Sequence, residues 1–141
     1  MNLVYRATLA ADPDGGFLVT FADVPDAITH GMTRAEALAN AVEALGLALR
    51  GYLADGETLP QPRSAEGVMV AVDPADAVKI AVIDRFRASG LTKSELARRI
   101  GRSEGEARRI LDPDHPSKIG IMQEALRAMG QTIVVSTMEL A

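Results

Sequence analysis

Four aspartates and a histidine, Asp12, Asp14, Asp23, Asp26 and His30, fall between residues 12 and 30. Carboxylates so gathered could hold two metal ions about 3.5–4 Å apart and cleave a phosphodiester. These four, however, stand beside glycine and proline in turn-forming stretches, where aspartate is favoured because it hydrogen-bonds its own backbone. No strand between them supplies a rigid carboxylate. The sequence therefore predicts an acidic surface with no catalytic residue, no metal and no cofactor, and His30 reads as a strand-end residue and not as a base. A second group has the opposite sign: Lys93, Arg98, Arg99, Arg102, Arg108 and Arg109. Guanidinium forks match phosphate oxygens and the guanine edge, so nucleic-acid binding is the chemistry in view. The plainer alternative is a solvated helix face paired to Glu95, Glu104 and Glu106.

The charge is uneven along the 141 residues. Residues 1–66 hold nine carboxylates against four arginines, a net −5, whereas Arg85–Arg109 hold eight cations against three carboxylates, a net +5. Such fields bias partner choice: the acidic part favours a basic protein, the basic part nucleic acid. Cysteine is absent, which excludes disulfides and thiolate metal sites. The opening MNLVYRATLA has no basic segment leading into an apolar one, and no apolar run reaches the roughly 18 residues of a membrane span. A soluble, cytoplasmic chain without membrane contact is expected.

The elements that would carry the aspartates can be read from period and punctuation. Leu3–Ala10 reads as a strand, Asp12-Pro13-Asp14-Gly15-Gly16 as a turn and Phe17–Phe21 as the returning strand. Pro25-Asp26 turns the chain again into a short strand, Ile28–His30. Thr33 with Glu36 makes a capping box, opening a helix whose inner face is Leu38, Ala41, Val42, Leu45, Ala48, Leu49 and Tyr52. After an extended linker around Gln61–Gly67, Val68–Val72 reads as a further strand. The first module is thus β-β-β-α-β, residues 1–66 with its sheet continuing to about 72. The class is α+β.

Residues 73–141 read as a helical module. A first helix starts at Asp73-Pro74, with apolar face Val78, Ala81, Val82 and Phe86. Thr92-Lys93-Ser94-Glu95 opens a second, closed by Gly101, and Ser103-Glu104-Gly105-Glu106 opens a third. Ala97 at a close crossing, Gly101 in the turn, and Leu96, Ile100, Ala107 and Ile110 in the inner angle meet the packing needs of a helix-turn-helix. A generic helical hairpin is the alternative. Lys118–Met129 forms a last helix. Thr132–Ser136 reads as a terminal strand, expected to pair with its copy in a homodimer; docking on the first module's sheet edge is the alternative.

As a set, Asp14-Gly15-Gly16-Phe17, Phe21-x-Asp23-x-Pro25, Thr29-x-Gly31 and Thr33-Arg34-Ala35-Glu36-Ala37 resemble the HicB antitoxin family. Ala27 stands where members often carry Cys, and Asp26 replaces a common Gly. The resemblance implies a partial RNase H-like first domain that neutralises a HicA-type toxin, a small basic RNA-cleaving protein. Asp12, Asp14, Phe17, Asp23, Asp26 and His30 would be the toxin-facing residues. It further implies that a C-terminal helix-turn-helix, acting as a dimer or higher oligomer, binds the operator DNA of the chain's own promoter. There Lys93 and Ser94 would touch phosphate, Arg98, Arg99 and Arg102 would add sequence-independent attraction, and Ser103, Glu104, Gly105, Arg108 and Arg109 would lie along the major groove. Glu104 and Glu106 in that helix would repel phosphate unless one accepts from a cytosine amino group. A stand-alone repressor with a ligand-sensing first domain is the alternative function.

Overall fold

A computed structural model describes residues 1–140. The chain forms two compact units, Met1–Asp73 and Pro74–Met138. In the first, strands β1 (Val4–Ala11), β2 (Phe17–Phe21) and β3 (Ile28–Gly31) precede helix α1 (Arg34–Ala54) and strand β4 (Val68–Ala71). The strands form one antiparallel sheet in the order β3-β2-β1-β4. The β-β-β-α-β order and the α+β class read from the sequence are those observed.

Alternation along the strands sends Tyr5, Ala7, Val19, Phe21 and Val70 inward, where α1 covers them with Ala37, Ala41, Leu45, Gly46, Leu49 and Leu53. Each fully buried leucine contributes about 1.5–3 kcal/mol from the area it removes from water. The buried helix stripe is centred nearer Ala37 and Leu53 than expected: Leu38, Val42, Ala48 and Tyr52 are only partly covered. The buried ring of Tyr5 keeps its hydroxyl satisfied by donating to the Pro60 carbonyl at 2.6 Å.

Two glycines bring the β1–β2 turn, β3 and α1 together. Gly16 adopts φ +73°, and a Cβ there would meet the Gly31 carbonyl oxygen at 2.4 Å. A Cβ on Gly31 would in turn lie 2.3 Å from the Ala37 nitrogen. Asn40 of α1 seals this corner by donating to the His30 carbonyl at 2.8 Å.

The expected linker belongs inside the first unit. Asp23 accepts from the backbone amides of Arg63 and Ser64 at 2.9 and 2.8 Å. Arg6 donates to the Gly67 carbonyl at 2.9 Å. This segment delivers the chain to β4, which pairs with β1, so it runs along the sheet and does not span two units.

The second unit contains α2 (Pro74–Ser89), α3 (Lys93–Ile100), α4 (Glu104–Ile110) and α5 (Ile119–Ala128). Thr33, Thr92 and Ser103 cap their helices as expected, each side-chain oxygen accepting from the amide three residues on. The glutamate side chains of the second and third boxes go elsewhere. Glu95 accepts from the Thr92 hydroxyl itself, and Glu106 pairs with Arg102. On α2 the buried residues are Lys79, Ile80, Val82 and Ile83, a face turned by one position from the expected Val78, Ala81, Val82 and Phe86. The face includes a lysine, which an apolar pattern does not register.

No strand forms at Thr132–Ser136. Residues 131–140 carry no regular structure, and Val134 and Val135 are 85% and 80% exposed. A strand exists only through ladder bonds to a neighbour; here the Ile133 amide donates to the Gln123 side chain and the Thr132 hydroxyl accepts from it.

The Gly31 corner yields a direct check. Gly31→Ala should lower the unfolding free energy by about 2 kcal/mol, the usual cost of overpacking a tight contact, read from urea denaturation of the full chain. An unchanged midpoint would show that β3 and α1 can separate freely.

Candidate functional site: an acidic loop pair and a basic helix pair

The four aspartates do not converge. Asp12 and Asp14 lie in the turn before β2, Asp23 and Asp26 in the loop after it, at opposite ends of that strand. Among the described residues, no group of three or more His, Asp or Glu side chains is placed to hold a metal ion. Each aspartate has a local task instead. Asp12 Oδ1 accepts from the Asp14 amide at 2.9 Å, shaping the turn, while Oδ2 lies 3.8 Å from His30 Nε2. That imidazole nitrogen sits 2.9 Å from the Gly15 carbonyl oxygen, so His30 ties β3 to the turn. Phe17 begins β2 beside them and pairs with Gly31.

At the other end, the amide of Ser64, aided by that of Arg63, holds the Asp23 carboxyl below its ordinary range. Asp26 faces the Tyr52 hydroxyl and, by accepting from it, pushes the phenol's pKa up. Asp14 and Asp26 are exposed, Asp12 and Asp23 half-buried. Two acidic loops thus flank the sheet. Nothing in the residue pattern announced that Asp23 would anchor a segment forty positions away.

In the second unit, α3 and α4 are joined by only Gly101, Arg102 and Ser103. Gly101 takes φ +67°, a left-handed conformation natural to glycine, and the Arg102 amide returns to the Ala97 carbonyl at 3.0 Å. Leu96, Ala97, Ala107 and Ile110 are buried, as their spacing predicted, whereas Ile100 of the same set is only partly covered.

The structure sorts the cations of this unit. Arg102 is clamped: its guanidinium meets Glu124 of α5 at 3.0 Å and Glu106 of α4 at 3.4 Å. Arg99 donates to the Ala128 carbonyl at 3.1 Å and Arg85 to that of Met129 at 2.9 Å, so both close the C-terminal end of α5. Lys79, absent from the sequence-based candidates, is 4% exposed and donates to the Arg109 and Ile110 carbonyls and to Ser117. By contrast, no ion pair or side-chain hydrogen bond engages Lys93, Arg98, Arg108 or Arg109 among the described residues, and all four are exposed. Ser94 and Glu104 are exposed as well, and Gly105 is partly so. Glu106, one of the two carboxylates of concern for phosphate repulsion, is paired with Arg102, which it shares with Glu124.

The sequence is similar to known proteins over most of its length. A family model described as the HicB-like antitoxin of bacterial toxin-antitoxin systems matches residues 4–81. Over 131 residues the chain is 37% identical to Antitoxin HicB of Escherichia coli K12, covering 92% of this chain and 95% of that one. Antitoxin HicB 1 of Photorhabdus laumondii is 37% identical over 135 residues, 96% and 87% of the two chains. Antitoxin HicB of Pseudomonas fluorescens is 30% identical over 125 residues, 86% of each.

The anchoring role of Asp23 can be tested by limited proteolysis. Asp23→Ala should speed cleavage within residues 60–66 several-fold. Because the native carboxyl titrates below 3.8, the wild-type anchor holds above that pH and is lost as pH falls through the lowered native value. Equal cleavage rates for wild type and variant at neutral pH would refute the role.

Proposed function

We propose, because the chain belongs to the HicB-like antitoxin family, that it neutralises a HicA-type toxin with its first unit and represses its own operon with its second. Members of this family serve bacterial toxin-antitoxin systems. The toxin in such a pairing is a small basic RNA-cleaving protein, and the −5 charge of residues 1–66 complements it. An acidic surface can occupy the place of the RNA backbone and steer association. The two loops carrying Asp12, Asp14, Asp23 and Asp26, with Phe17 and His30 beside the first, are the toxin-facing candidates. Asp14 and Asp26 are the exposed charges; Asp12 and Asp23 shape the loops that present them.

The observation that carries the DNA-binding half is the sorting of the cations. In a helix-turn-helix the second helix reads the major groove and the first helix crosses the backbone. Here α4 holds Arg108 and Arg109 exposed and unengaged, while Arg102 between the helices serves the protein itself. Lys93, Ser94 and Arg98 on α3 supply phosphate contacts, and Ser103, Glu104 and Gly105 bring the start of α4 to the groove. Glu104 is the carboxylate left to accept from a cytosine amino group. A homodimer supports this by setting two α4 helices one DNA turn apart. The exposed β-branched segment at Thr132–Ser136 is the candidate for pairing the copies. The proposed place of action is the cytoplasm; among the described residues no helix is long and apolar enough to cross a membrane.

Co-expression with the adjacent small basic reading frame should rescue growth and yield a stable complex. Absence of both would favour a ligand-sensing repressor. Arg109→Ala should weaken binding to the chain's own promoter fragment about tenfold, the value of one good bidentate contact, and leave rescue intact. Equal loss of both activities would refute the division of labour.

A further inference from the structure

Lys79 is the one charged side chain in the buried class among the described residues. Burying an ammonium is costly unless its donors are all met. Here three acceptors surround Nζ: the Arg109 carbonyl at 3.1 Å, the Ile110 carbonyl at 2.8 Å and the Ser117 hydroxyl at 2.8 Å. An ammonium has three donors, so the set is complete. A methionine would fill the same volume and keep α2 packed, but it would hold nothing at these oxygens.

Two of those oxygens, the carbonyls, belong to the end of α4; the third, of Ser117, lies in the segment before α5. The last carbonyls of any helix lack intrahelical partners, and a helix of seven residues, Glu104–Ile110, is too short to persist on propensity alone. Ser103 secures its first turn. Lys79 secures its last, from a different helix, at the two residues that end it. Sliding α4 by one residue, about 1.5 Å along its axis, would take both carbonyls away from the ammonium together.

We propose that Lys79 is a positioning residue for DNA reading: from α2 it fixes the C-terminal turn of α4 and so the backbone from which Arg108 and Arg109 project. The inference rests on α4 being the reading helix. Lys79 acts through Arg108 and Arg109 and does not itself touch DNA. The ammonium also places positive charge at the negative end of α4, where it stabilises the helix dipole. Burial pushes its pKa down to about 8, against the pull of Asp112 in the loop after α4, the charged group that acts on it. Above that pH the neutral amine has two donors for three acceptors and turns a lone pair toward one of them. The hold on α4 therefore weakens just above neutrality.

The test compares wild type, Lys79→Met and Arg109→Ala as full chains, binding a duplex that carries the promoter upstream of their own reading frame, from pH 7 to 9.5. At pH 7 Lys79→Met should unfold cooperatively yet bind on the order of tenfold more weakly, as expected when hydrogen bonds to a charged group are removed. Wild-type affinity should fall toward that of Lys79→Met as pH rises through about 8, while the variant's own profile stays flat. A purely packing role for Lys79 would leave no such difference between the profiles. Wild-type affinity in Lys79→Met, together with loss in Arg109→Ala, would overturn the positioning role and keep the reading helix. No loss in either variant would instead remove α4 as the reader, and the proposal with it. Should Lys79→Met fail to fold, the wild-type profile decides: a flat line between pH 7 and 9.5 overturns the proposal.

Discussion

Helix ends leave carbonyl oxygens without partners, and the second unit is organised around meeting that need. Its helices are short, so a large share of their backbone lies in terminal turns. Three cations from neighbouring helices answer it: the buried Lys79 at the end of α4, and the half-buried Arg85 and exposed Arg99 at the end of α5. Arg102 adds a lateral tie from the turn to both α4 and α5. A unit whose charge pattern looks like one undivided basic surface is in fact two populations of cations. One holds the helices together; the other faces solvent.

The first unit solves a different problem with smaller groups. A sheet covered by a single helix must bring a hairpin turn, a short edge strand and a helix start into one corner. Side chains there would hold the backbones apart, so Gly16 and Gly31 stand at the closest approaches. His30 and Asn40 then supply the polar links. The aspartates in the two loops have a structural duty and a charge at once. Asp12 bends the turn and Asp23 anchors the segment before β4, and an ionised carboxylate performs both tasks best because it accepts without donating. Acidity toward a basic partner thus comes with the loop geometry and not at its expense.

Local pattern was enough for much of this. Turn residues, the strand period and the cap residues Thr33, Thr92 and Ser103 act over a few positions, so the order of elements and the α+β class could be read directly. The motif set from Asp14 to Ala37 carried the family. The buried face of α2 was misread because a lysine in an i, i+3, i+4 register with Val82 and Ile83 is usually solvent-facing, and only a cluster of distant acceptors can draw it inward. The terminal segment was read as a strand from β-branched composition, but composition cannot supply the neighbour that a ladder requires.

Whatever depends on neighbours in the chain is legible before folding: the elements, their caps, the signs of charge in each half and the family to which they belong. Which charges are available emerges only once the chain has packed. Asp23 finds Arg63 and Ser64, Arg102 finds Glu124, and Lys79 finds Arg109, Ile110 and Ser117 across separations of roughly twenty to forty residues. Hydrogen-bond energy depends on ångström distances between such groups, and those distances do not exist until the helices and the sheet have packed.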